Sequence, residues 1–262
     1  MQLRFPAVLF CLIAPGFLAG QTAYKPPRLA NGKPDLNGIW QALNTANWDL
    51  REHPSRPGLV LQLGAAGAEP GGPGVVEGVE IPYLPEALKK KQANFAQRLQ
   101  LDPEIRCYLP GVPRATYQEH PFQILQSDKA IFFAYEFAGA VRNVFLKDPG
   151  PAPADAWMGQ SVGRWEGDTL VLDVTGLDER TWFDRAGDFH SDALHVVERY
   201  TRTGPETINY EATIEDAKVF SRPWKIRMPL YRHVEKNARL SEFKCVEFVE
   251  DLLYGEFNKT SK

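Results

Sequence analysis

The segment TWFDRAGDFHSDALHVVERY, residues 181–200, gathers Asp184, Asp188, His190, Ser191, Asp192 and Glu198 around aromatic side chains. Asp188 and Asp192 stand two residues either side of His190, so in an extended stretch all three face one way. That supplies a general acid or base with an orienting carboxylate. The same spacing is compatible with a weak divalent-metal site, but nothing in it fixes a metal, and no metal ligand is assigned. The plainer reading, a hydrogen-bonded loop histidine, competes with both. His190 and His195 are five apart, fall on opposite faces of a strand, and do not form a ligand pair.

Strand alternation from Leu194 onward sorts the rest. Leu194, Val196, Glu198 and Tyr200 share one face, and His195, Val197, Arg199 and Thr201 share the other. The first face is apolar, so Glu198 points where an unpaired carboxylate is costly. It needs either a structural cation, with Arg142 or Arg164 the cross-strand choices, or a functional role with a perturbed pKa. If the protein is an enzyme, the catalytic set is His190, Glu198 and Asp184. If it binds a ligand, the set is Trp182, His190, Ser191, Asp192, Glu198, Arg199 and Trp157, because loop tryptophans suit planar or apolar molecules. No phosphate-cradling Gly loop, Gly-x-Ser-x-Gly elbow or Cys-x-x-Cys pair occurs, and no cofactor is expected.

The elements that must position these residues are mostly strands. The sequence predicts them at 35–43, 122–127, 130–137, 141–147, 161–167, 169–177, 194–202, 207–214, 224–232 and 239–248, joined by short turns such as Gly167-Asp168. Consecutive antiparallel strands of this kind form a meander that closes into a β-barrel to remove its edges. One outer helix is predicted at 85–100, entered at Pro85, with Leu88, Phe95 and Leu99 at near-helical spacing. A Gly/Pro-rich loop covers 54–82, with at most a short strand at 59–63. Residues 35–262 read as a single barrel-type domain after an extended leader at 21–34.

The N-terminus, MQLRFPAVLFCLIAPGFLAG, has Arg4 before an apolar run and small residues at its end, the pattern of a signal peptide at 1–20. A secreted or periplasmic location follows, with no stable membrane insertion. Cys107 and Cys245 then remain as an even pair in an oxidising compartment and are expected to be bridged. A formal net charge of -3 excludes a nucleic-acid surface, and the run Lys89-Lys90-Lys91 reads as a solvated helix face.

Three stretches, GKPDLNGIW (32–40), RCYLPGVPR with PFQILQ (106–126) and the segment from Trp157 to Tyr200, together resemble a large family of secreted proteins from environmental bacteria for which no activity is settled. Its pattern falls here on Trp182, Asp184, Gly187, His190, Ser191, Asp192, Glu198 and Arg199. The resemblance implies a functional region around His190 and Glu198 without naming a reaction. Gly38-Ile39-Trp40 is faintly similar to the Gly-x-Trp opening of lipocalins, which implies a lipocalin-like barrel. The leading expectation is a secreted protein holding a small apolar or aromatic molecule in a barrel pocket. The alternative is a cofactor-free lyase, isomerase or hydrolase using His190 and Glu198. A third, lesser reading is an envelope interaction module acting through 54–82. The sequence sets no oligomeric state.

Overall fold

A computed structural model describes residues 24–58, 61–78 and 80–254. The segment read as a signal peptide lies outside the described residues. Nine strands close into one barrel in chain order. They are β1 (Gly38–Ala42), β2 (Phe122–Gln126), β3 (Ile131–Tyr135), β4 (Val141–Phe145), β5 (Gln160–Glu166), β6 (Thr169–Thr175), β7 (His195–Gly204), β8 (Thr207–Glu215) and β9 (Trp224–Arg232). The barrel forms because period-2 sequences such as Ile208, Tyr210, Ala212 and Ile214 bury one face completely while Thr207 and Glu211 stay outside.

The meander is interrupted once. β4 and β5 run parallel and meet at only two register pairs, Val144↔Ser161 and Phe145↔Val162, whereas β5 and β6 are paired along their whole length. The Pro-rich connection from 146 to 159 carries the chain back to start β5 in the same direction, which a tight hairpin cannot do.

The strand expected at 239–248 is not formed. Pairing of β9 with β1 closes the barrel and leaves no edge for a further strand. That segment instead runs over the outside, tied down by a disulfide from Cys245 to Cys107 that spans 138 residues of sequence.

The predicted helix is divided into α1 (Pro85–Ala96) and α2 (Arg98–Leu101) by a non-helical Gln97, and α3 (Val249–Tyr254) lies near the C-terminus. The inward face of α1 is Ala87, Lys91 and Asn94, and Leu88 is exposed. Lys91 is therefore buried, not part of a solvated face. Over the described part of the short strand expected at 59–63, the chain instead forms 3₁₀ turns that run from Leu61 to Gly67 with a kink at Gly64; residues 59 and 60 lie outside the described residues. The surrounding loop is laid onto the barrel, with Val75 N–H donating to Leu50 O and Arg227 N–H to Val75 O.

The barrel interior is filled by side chains. Trp40, Phe122, Phe133, Tyr200 and Tyr210 are fully buried. One end is covered by the loop ahead of β7, whose Phe183 packs tilted against Phe220 and edge-on against Trp224, with Phe220 also edge-on to Trp224.

Candidate functional site

Alternation places Glu198 in the middle of the barrel at 0% exposure, between Leu172 of β6 and Ala212 of β8. Its cation is Arg142, which donates from Nη2 to Glu198 Oε2. Tyr200 Oη and Tyr210 Oη donate to Glu198 Oε1 at 2.9 and 2.8 Å. Burial, and then the charge of Glu198, push the ionisation of both tyrosines well up, so they remain donors. Burial disfavours the charged form of Arg142, but Glu198 and, after it, Tyr135 and Tyr200 together outweigh this and hold its pKa well above the ordinary value. The carboxylate is satisfied by three donors.

Arg142 reaches this position because β4 alternates against its hydrophobicity. Arg142 and Val144 point inward, and Val141, Asn143 and Phe145 point outward. Arg142 Nε donates to Ser161 Oγ at 2.6 Å across the parallel seam, and the guanidinium lies 5.5 Å from the Phe133 ring centre. Its third nitrogen, Nη1, is buried and has no hydrogen-bond partner, and the same holds for Tyr135 Oη. Neither residue lacks a polar neighbour: burial raises the Tyr135 pKa, and the Arg142 charge together with weak hydrogen-bonding approaches from Arg142 and Thr116 opposes that rise.

Arg142 also lines a cleft of about 370 Å³ on the barrel wall, where β4 and β5 have not yet met. Leu109, Val141, Phe145, Trp157 and Met158 line it too. Trp157 is half-buried, with Tyr108 4.7 Å and the Arg180 guanidinium 4.4 Å from its ring. A smaller apolar cleft of about 190 Å³ lies under the C-terminal segment. Its charged side chains are already engaged, Glu104 with Arg114 and Arg185 and His120 with Glu136.

His190 belongs to a different network. It is buried in the end cover, its ring tilted against Phe183 at 5.3 Å between centres, with Nδ1 on the Ser191 carbonyl at 2.8 Å and Nε2 on the Thr181 hydroxyl at 2.6 Å. A carbonyl only accepts, so Nδ1 carries the proton. Burial lowers the pKa of the ring. His190 and Glu198 share no hydrogen-bond partner, and neither Asp188 nor Asp192 orients His190. Asp192 is exposed and paired with Lys218, while Ser191 bonds Asp216 through its N–H and hydroxyl. Trp182 is buried in the end cover and bridges Phe189. Arg199 points outward to Glu166 at 2.8 Å, away from the interior, as alternation requires.

Asp184 sits in a third group with Asp49 and Asp188, all buried, with carboxylate oxygens within 4.8 Å of one another. Asp184 accepts from the N–H groups of Leu50 and Asp188, and Asp188 accepts from Tyr83 Oη at 2.7 Å. Burial, then the neighbouring Asp188, raise the Asp184 pKa well above the carboxylate range. These oxygens are of the type that holds a hard cation. Arg51, Arg56 and Lys91 approach the same carboxylates, however, so the cluster meets as many basic side chains as acidic ones.

The structure thus divides the segment at 181–200 among three environments; of the expected site residues, Glu198 joins the seam through Arg142 inside the barrel, and Trp157 lines the cleft outside it. Sequence reasoning missed Tyr135 and the buried cluster of Arg114, Asp102, Glu104 and Asn47. The signal for Arg142 was an arginine at an alternating position inside an apolar strand. Arg114 carried no such signal, because it lies in a short 3₁₀ turn with every residue buried. Compared with known proteins, the chain matches no family model, no curated protein and no solved structure.

Proposed function

We propose that this is an exported protein that binds a small, largely apolar or aromatic molecule against the barrel wall, with the polar centre around Glu198 supplying specificity. The observation that carries this reading is the open cleft on the barrel wall, lined by the apolar and aromatic side chains of Leu109, Val141, Phe145, Trp157 and Met158 where β4 and β5 have not yet met. The filled lumen favours a ligand seated at the seam between β4 and β5 over one deep inside. Export is supported by the disulfide between Cys107 and Cys245.

The acid–base alternative asks Glu198 to give up one of three donors and to work with a histidine that shares none of its partners. One experiment separates the two readings. The mature protein is incubated with a pooled library of aromatic metabolites, and bound and unbound fractions are compared with the input by mass spectrometry. Binding predicts a retained compound recovered unchanged. Consumption of a compound with appearance of a product refutes the binding reading in favour of the enzyme.

A further inference from the structure

The end cover hangs on a group that the binding reading does not use. Its turn from Trp182 to Phe189 is closed by Phe183 N–H, which donates to the Asp188 carbonyl at 2.7 Å. This turn carries Asp184 and Asp188 inward, both at 0% exposure. Asp49 meets them from the loop after β1 and is buried too. Three carboxyl groups so close in a dry interior need either three compensating charges or fewer than three ionisations.

The compensation is uneven. Asp49 pairs with Arg51 and Arg56, each at 3.3 Å. Asp188 takes Tyr83 Oη on Oδ1, while Oδ2 has no hydrogen-bond donor, with Arg51 and Lys91 of α1 both standing off at 3.9 Å. From the 3₁₀ turn at 114–117, Tyr117 gives its hydroxyl to the Phe183 carbonyl, and Arg185 turns to Glu104. Asp184 accepts the N–H groups of Leu50 and Asp188 and, among the described residues, has no basic side chain within salt-bridge distance. It is the carboxyl with two acidic neighbours and no cation.

We propose that Asp184 is held as the neutral acid beside ionised Asp49 and Asp188, and that its proton latches the end cover to the loop after β1. The bond from Leu50 N–H to Asp184 Oδ2 joins those two segments directly, and the neutral acid brings a donor to the neighbouring Asp188 carboxylate. Loss of the proton sets a third negative charge against two others. The repulsion pushes the turn away from Phe220 and Trp224, against which Phe183 closes the barrel. The latch is shut in acid and released as pH rises.

An acid that keeps its proton in the folded state alone makes folding weaken as pH rises from the ordinary aspartate value near 3.8 up to its own. The folding constant falls by ~10-fold per pH unit over that window. Asp184→Asn does not titrate, so the ratio of variant to parent folding constants, from urea midpoints, cancels groups that titrate alike in both. That ratio should rise by at least ~10-fold from pH 5 to 7. Hydrogen exchange read by mass spectrometry tests the latch itself. In the parent, protection over 181–192, corrected for the intrinsic rate, should fall across that range relative to β6–β8, and in Asp184→Asn it should not. A ratio that stays constant or falls with pH would mean that Asp184 is ionised and would overturn the proposal. So would a rising ratio with unchanged protection over 181–192, because the proton would then hold nothing in place. If Asp184→Asn does not fold, protection in the parent decides alone, in the same two directions.

Discussion

Replacing Glu198 by Gln keeps shape and removes one charge, and its cost follows from where each donor points. Tyr200 and Tyr210 both bond Oε1, so the Gln carbonyl oxygen can keep them. The Gln amide then takes the place of Oε2 and presents its N–H groups to Arg142 Nη2, donor against donor. The guanidinium is left buried with no counter-ion. Breaking one side of a buried pair costs about 3–5 kcal/mol, and the opposed donors put this site at the upper end. With a urea m-value of about 2–3 kcal/mol/M for a domain of this size, the unfolding midpoint should fall by roughly 1.5–2.5 M. Urea unfolding is followed by tryptophan fluorescence and circular dichroism with the disulfide intact. The double variant Glu198→Leu with Arg142→Met removes both charges and should lose at least ~2 kcal/mol less than the sum of the single variants. A Glu198→Gln protein within about 1 kcal/mol of the parent would refute the reasoning, because Arg142 would then have another source of solvation.

Other consequences are as direct. Exported protein should show no free thiol by intact mass, and replacing Cys107 and Cys245 by Ser should cost about 4–5 kcal/mol on the chain-entropy account, read as a lowered urea midpoint. Glu104 is buried, yet Arg185 and then Arg114 overcome the burial and hold its pKa down to about 2. Its contribution, roughly 3 kcal/mol, is therefore complete above the ordinary value near 4.5 and is lost as pH falls from there toward 2, so Glu104→Gln should flatten that acid limb of stability against pH. Gly187 has φ +83°, and a Cβ there would stand 2.8 Å from Asn94 Cβ and from the Phe95 N atom of α1. Gly187→Ala should lower the thermal midpoint by several degrees, and an unchanged midpoint would mean that α1 shifts freely.

What the sequence revealed about the barrel came from alternation, and alternation holds where both neighbours of a strand are strands. Ile208 to Ile214 and Trp224 to Leu230 show it plainly, and so does the inward turn of Glu198. Pairing to Arg142, one of two cross-strand arginines considered, needed the register β3–β4 and the seam to β5, and register is not written in either strand alone. Residues 239–248 alternate well enough for a strand but had no edge left to join, a matter of closure rather than propensity. The end cover was misread for a related reason. Asp188, His190 and Asp192 would share a face only in an extended strand. The chain there turns, so each side chain finds a different partner: Tyr83, Thr181 and Lys218. Lys91 was misjudged because a run of three lysines on a helix must turn part of itself inward, and here Lys91 approaches Asp188.

The short parallel seam has a consequence for how the barrel is made and how it opens. From β5 to β9 every strand hydrogen-bonds to its successor in the chain, so that half can assemble from local contacts in sequence. β1 to β4 form a second run of neighbours, and the two runs are joined by β9 with β1 and by β4 with β5. Both joints are short, at three and two register pairs, against seven between β5 and β6. β1 pairs with β2 over three positions as well, so β1 is held lightly on both sides and the narrowest weld of the cylinder is β4 with β5. Its lowest-energy opening is a parting at that β4–β5 weld, which frees few backbone hydrogen bonds. Amides at that weld should exchange with solvent well before those of β6 to β8.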